Sequence, residues 1–287
     1  MNESGTPRVA VYLDFDNIVI SRYDQIHGRN SFQRDKTAGF HNAPGRLTTA
    51  TVDVGAIIDF ASSFGTLVLT KAYADWSVDV NAEYRGQLVG RAVDLVQLFP
   101  AAAYAKNGAD IRLAVDAVED MFRLPDLTHV VIVAGDSDYI ALAQRCKRLG
   151  RYVVGIGITG SISRSLTAAC DEFVSYDALP GVPVAVPKKG AKRAKAQEPD
   201  DEPEQPDPQA AATGLLERAL RIGQEKDDAD WLHNSAVKAQ MKRMDPSFSE
   251  KSLGFKSFSD FLRSRTDVVD LDESSTTRLV RLKPAAT

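Results

Sequence analysis

Six aspartates and one asparagine fall where apolar runs end or where an amphipathic stretch begins. Asp14, Asp16 and Asn17 close VAVYLDFDN, Asp110 and Asp116 lie in NGADIRLAVD, and Asp136, Ser137 and Asp138 close VVIVAGDSD. An alternating α/β sheet collects the C-terminal ends of its central strands at one edge, where such folds hold ligands. Like charges gathered there repel: two carboxylates about 5 Å apart cost roughly 3 kcal/mol at an effective dielectric near 20. A hard divalent cation removes that cost. Mg2+ or Mn2+ takes oxygen ligands and keeps waters for chemistry on phosphates. Asp14, Asp110, Asp136 and Asp138 are the candidate ligands and catalytic acids, and the expectation is a metal-dependent nuclease centre.

Each acid also has a simpler reading. Asp14 can cap a helix or form a turn, although an ionised carboxylate at the end of a buried strand rarely lacks a partner. Asp16 shares the side of Asp14 only if the strand continues, and DxDN can be turn chemistry. Asn17 can orient a phosphate or a water. Gly135 lets the chain turn off its strand, so that Asp136 and Asp138 point at a metal while Ser137 and the following helix start meet a phosphate; either acid can instead be an ordinary cap. Asp116 is six residues beyond Asp110, about 240° round a helix, so the two share no face and Asp116 either backs the site or is solvated.

The elements that must position these residues follow from short apolar runs alternating with amphipathic ones, the pattern of βαβ units and a parallel sheet. Strands are expected over 9–15, 66–72, 93–99, 129–134, 152–157 and 172–175, and helices over 52–64, 80–89, 110–122, 139–149 and 162–169. In the third helix Ile111, Val115, Val118 and Phe122 recur at helical spacing and predict the buried stripe. Residues 22–46 read as a long loop starting at the acidic edge, with Arg22, Arg29, Arg34 and Lys36 as candidate RNA contacts among Tyr23, Phe32 and Phe40.

The chain of 287 residues has 44% hydrophobic and 26% charged residues, the composition of a globular protein. Its net charge is −4, modestly against a nucleic-acid partner, although a bound metal inverts the local field. Cys146 and Cys170 have no metal-binding spacing and read as small buried hydrophobes. The N-terminus lacks a signal-peptide pattern and no run reaches the roughly 18 apolar residues of a membrane span, so no membrane is expected and the expected location is cytoplasmic. Residues 181–212 are rich in Pro, Ala and charge, with a basic block (Lys188 to Lys195) before an acidic one, and read as a flexible tether. The block can touch RNA phosphates or be merely solvated. Residues 213–287 read as three helices and a two-stranded wing, a winged helix-turn-helix, with Lys238, Lys242, Arg243 and Lys256 as candidate phosphate contacts.

VAVYLDFDN, NGADIRLAVDAV and VVIVAGDSDYIALAQRCKRLGRYVVGIG, in that order, resemble the NYN domain family of PIN-like ribonucleases over roughly residues 7–178. GFKSFSDFL at 254–262, with the wing after it, resembles the OST-HTH (LOTUS) winged-helix module. The resemblance implies a PIN-like parallel sheet flanked by helices over 1–180, a small C-terminal winged-helix domain over 213–287, endoribonuclease chemistry with Mg2+ or Mn2+, and RNA as partner. A second copy of the chain is a further candidate partner. The family's acids map onto Asp14, Asp110, Asp136 and Asp138, with Asn17 and Asp116 also at motif positions. Three departures stand out: Asn107-Gly108 replaces the usual Lys-Gly, GDSDF is GDSDY at Tyr139, and the loop over 22–46 is longer than usual. Two alternatives compete: an RNA-binding regulator that keeps the acids without cutting, and a phosphatase like the haloacid dehalogenases, to whose DxDx and GD motifs DFDN and GDSD are similar. The latter family normally adds an upstream Lys, which RLPDLTH lacks.

Overall fold

The computed structural model describes residues 5–42, 45–99, 108–183, 207–227, 229–274 and 278–283. Its chain divides into two compact units, residues 1–187 and 188–287. The first is built on six parallel strands: β1 (Arg8–Asp14), β2 (Thr66–Ala74), β3 (Asp94–Gln97), β4 (His129–Val133), β5 (Tyr152–Gly157) and β6 (Glu172–Ser175), in the spatial order β3-β2-β1-β4-β5-β6. The chain builds outward from β1 to β3, then returns to lay β4 on the other side of β1. The order therefore reverses between β1 and β4, and the crevice beyond their C-terminal ends is where a fold of this kind places its site.

Both faces of the sheet are covered, which is why β1 reads as a continuous apolar run rather than an alternation. Val9, Val11 and Leu13 face a layer containing α1 (Phe15–His27), α4 (Val54–Ser62) and α6 (Arg85–Gly90); Ala10 and Tyr12 face α7 (Gly108–Arg123), α8 (Ile140–Arg148) and α9 (Arg164–Ala169). Strand alternation puts Asp14 on the Tyr12 side. Cys146 and Cys170 are free thiols buried in that second layer.

Three expectations need correction. Residues 22–46 are not a long loop. The chain passes from β1 directly into α1, then into α2 (Ser31–Ala38), a short turn at Phe40–Asn42 and α3 (Arg46–Thr49). Asp24 accepts the backbone N–H groups of Asn30 and Phe32, both at 2.8 Å, and closes the turn between α1 and α2. The rings of Tyr23, Phe32 and Phe40 then meet at 5.3–5.8 Å and join the core on the α1 side of the sheet. The second correction concerns α7, which buries the opposite face from the one predicted. Leu113, Ala117 and Met121 face the sheet, while Ile111, Val115 and Phe122 are 64%, 57% and 70% exposed and only Val118 of the predicted stripe is half-buried against that core. The predicted 80–89 helix is two short ones, α5 (Asp79–Ala82) and α6.

The second unit has the three helices and wing read from the sequence: α10 (Pro208–Asp227), α11 (Asn234–Met244) and α12 (Phe258–Arg263), with an antiparallel sheet of β7 (Leu232–His233), β8 (Val269–Asp272) and β9 (Leu279–Leu282). Leu216, Leu220, Met241, Phe261 and Val280 form its core. Helix α10 begins five residues before 213 and Ala212 is already buried, so the end of the proposed tether is helical. Its central part, 184–206, with the basic block, lies outside the described residues, as does Asn107. Among the described residues no helix is long and apolar enough to cross a membrane.

Candidate active site

Asp14 ends β1 and is 3% exposed. One oxygen, Oδ1, accepts the backbone N–H of Asn17 at 3.2 Å and so caps α1; the other, Oδ2, accepts the hydroxyl of Tyr139 at 2.8 Å. The simple reading and the chemical one hold together, because the cap uses only one oxygen. Asp110, in the first turn of α7, accepts the same Tyr139 hydroxyl through Oδ1 at 2.9 Å. Asp136 follows β4 and caps the turn at Ser137–Tyr139 by accepting the N–H of Asp138 at 3.2 Å; the Ser137 hydroxyl leans on the same oxygen. Asp138 and Ser137 are exposed. The turn is tight against its neighbour: a Cβ on Gly135 would lie 2.7 Å from the Ser161 carbonyl oxygen.

Burial dominates the electrostatics of the site. It pushes Asp14 up to about 7, with the hydrogen bonds from Tyr139 and Asn17 opposing and the charges of Asp110 and Asp16 adding. Asp110 is also raised, by burial first, opposed by Tyr139, with Asp138 and Asp136 adding. Asp110 thus stands within reach of the charges of Asp138 and Asp136, and Asp14 within reach of that of Asp110. No lysine or arginine among the described residues is one of the neighbours that act most on Asp14 or Asp110. Among the described residues, however, no three acids are gathered closely enough to ligate one ion. The donor set, all hard carboxylate oxygens, fits Mg2+ or Mn2+ in its chemistry, and Asp14 and Asp110 share one hydroxyl.

The supporting residues are placed differently from one another. Asn17 accepts the backbone N–H of Gly135 through Oδ1 at 3.3 Å and so ties the start of α1 to the GDSD turn. Asp16 points away from Asp14's partners. It accepts Nδ2 of Asn81 at 2.6 Å and the N–H of Asp75 at 3.3 Å, bracing the chain after β2, and burial raises its pKa. Asp116 is neither solvated nor beside Asp14: it accepts the Tyr73 hydroxyl at 3.1 Å and Nε of Arg112 at 2.9 Å. One turn further, Asp120 accepts the Tyr12 hydroxyl at 3.2 Å and Nζ of Lys71 at 2.6 Å. Helix α7 is thus held by three tyrosine hydroxyls, on Asp110, Asp116 and Asp120. Sequence reasoning missed Tyr139 as a partner of two acids; its one signal is the hydroxyl that sets GDSDY apart from GDSDF.

Among the candidate RNA contacts, Arg22 is a correction. It is 4% exposed, donates to Asp177 at 2.6 Å and lies 5.2 Å from the centre of the Tyr176 ring, so its charge is neutralised inside the fold. Arg29, Arg34 and Lys36 are exposed. Asp75 is lowered first by the hydrogen bond from Ser77, with the charge of Lys36 a small addition that also acts on Asp16. In the second unit Lys238 pairs with Glu250 at 2.6 Å. Arg243 donates to Gln240 and Lys256 is exposed, while Lys242 adds its charge to those lowering the pKa of Glu250.

A six-stranded parallel sheet flanked by helices, with aspartates where its strand order reverses, defines a PIN-like α/β domain. The family model described as NYN domain matches residues 8–177, and the chain belongs to that family. The model described as OST-HTH/LOTUS domain matches residues 206–281. The architecture is that of a nuclease-type domain joined to an RNA-binding-type domain. Membership of the NYN family accounts for DFDN and GDSD and displaces the phosphatase alternative. Four solved chains match in structure. One is a protein of unknown function from Vibrio parahaemolyticus, with a TM-score of 0.45 and 20% identity, covering 61% of this chain and 96% of that one. No curated protein matches in sequence.

Proposed function

We infer that the protein is a metal-dependent endoribonuclease acting in the cytoplasm, with the C-terminal winged-helix unit supplying affinity for RNA. The observation that carries this reading is the Asp14–Tyr139–Asp110 contact at the strand-order reversal, with Asp136 and Asp138 acting on Asp110. Asp14 and Asp110, with Asp136 and Asp138 beside them, are the residues that would hold Mg2+ or Mn2+; bound there, the ion supplies an acidified water and offsets charge on the phosphoryl oxygens. The chain's own groups do the rest. Asn17 keeps the two acidic turns in register, Asp14 and Asp110 orient the attacking water, and Lys36 binds a flanking phosphate of the RNA. Two buried, unpaired cysteines suit a reducing compartment.

Purified protein incubated with labelled single-stranded and structured RNAs should cut them internally with Mn2+ or Mg2+ and stop on EDTA. Asp14→Asn keeps a capping side chain and should lower the cleavage rate by at least 100-fold while the protein stays folded by circular dichroism. RNA binding by wild type without cleavage under any divalent ion would support the regulator alternative instead.

A further inference from the structure

Tyr139 is fully buried, and its ring packs in the layer formed by Leu113, Ala117, Leu142 and Ala143. Its hydroxyl stands 2.8 Å from Oδ2 of Asp14 and 2.9 Å from Oδ1 of Asp110. The three residues come from three separate places in the chain: the end of β1, the start of α7 and the turn before α8. A hydroxyl has one hydrogen, so it donates to one carboxylate at a time, whereas a divalent cation attracts both. A phenylalanine would fill the same space and offer neither acid a donor. We propose that Tyr139 is a positioning residue of the acid cluster: its hydroxyl sets Asp110 against Asp14 before a divalent cation arrives and keeps only one of the two when the cation binds. This rests on the metal-site reading above and assigns to Tyr139 the part of a donor that holds Asp110 against Asp14.

The test is Mn2+ binding by calorimetry on the full chain, in wild type, Tyr139→Phe, Asp110→Asn and the double variant, with thermal melts as the folding control. Tyr139→Phe should weaken binding about tenfold, the loss that goes with one hydrogen bond to a charged acceptor, and Asp110→Asn, which removes a ligand carboxylate, should weaken it further. The double variant should bind about as weakly as Asp110→Asn alone, because positioning residue 110 gains nothing once its carboxylate is gone. Independent, multiplicative losses, or a Tyr139→Phe protein that binds like wild type, would overturn the proposal while leaving the metal site standing. A wild type that binds no Mn2+ would remove the metal-site reading and this inference with it. A crystal structure of wild type with Mn2+ gives a check that needs no variant to fold: the hydroxyl should remain within hydrogen-bond distance of only one of Asp14 and Asp110. Finding both distances unchanged, or both lost, contradicts the role.

Discussion

At the scale of single residues, Asp14 does two things that pull against each other. It caps α1, which any aspartate does cheaply, and it is buried beside another acid, which raises its pKa to about 7. The folded protein therefore holds a proton on Asp14 where the unfolded chain has released it. Stability from this group falls as pH rises between about 4 and 7 and is level above that window, on the order of 2–4 kcal/mol in all. Asp16 and Asp110 are shifted in the same direction. In EDTA, the wild-type melting temperature should drop relative to Asp14→Asn as pH is raised from 4.5 to 7.5; parallel curves would show that Asp14 ionises freely in the fold. The sheet edge was legible from the sequence because an aspartate closing an apolar run marks a strand end. Tyr139 was not, because a tyrosine after GDSD reads as core, and only the fold reveals that its hydroxyl ends between two acids from elsewhere in the chain.

At the scale of elements, α7 shows why periodicity alone misleads. Ile111, Val115, Val118 and Phe122 make the more apolar stripe, yet the helix turns Leu113, Ala117 and Met121 inward. Turning the other face inward would carry Asp110, Asp116 and Asp120 away from the hydroxyls of Tyr139, Tyr73 and Tyr12. Leu113→Ala should cost about 2–5 kcal/mol of unfolding free energy. Phe122→Ser, at the exposed face, should change it by less than about 0.5 kcal/mol. Denaturant titration separates the two, and the reverse ranking would restore the sequence-based orientation. The helices within 22–46 escaped notice for a related reason. Their hold comes from Asp24 closing a turn and from three aromatic rings that meet only after the chain doubles back, and neither leaves a periodic trace.

At the scale of the molecule, the sequence reads well wherever an element is long and its burial one-sided or complete. The six strands and the order of motifs follow from apolar runs, and the second unit's three helices and wing follow from theirs. What it does not convey is which charges remain available. Arg22 and Lys238 look like RNA contacts in a list of basic residues, but they pair with Asp177 and Glu250 within their own units. Lys36, by contrast, is exposed on α2. The account as a whole stands on that edge being a cation site. The most direct measurement is an anomalous difference map from a crystal of the full chain soaked in Mn2+. The account predicts a peak bounded by Asp14 and Asp110, reduced or absent in Asp14→Asn. A map with no peak at that edge, at Mn2+ concentrations that sustain cleavage, would contradict it.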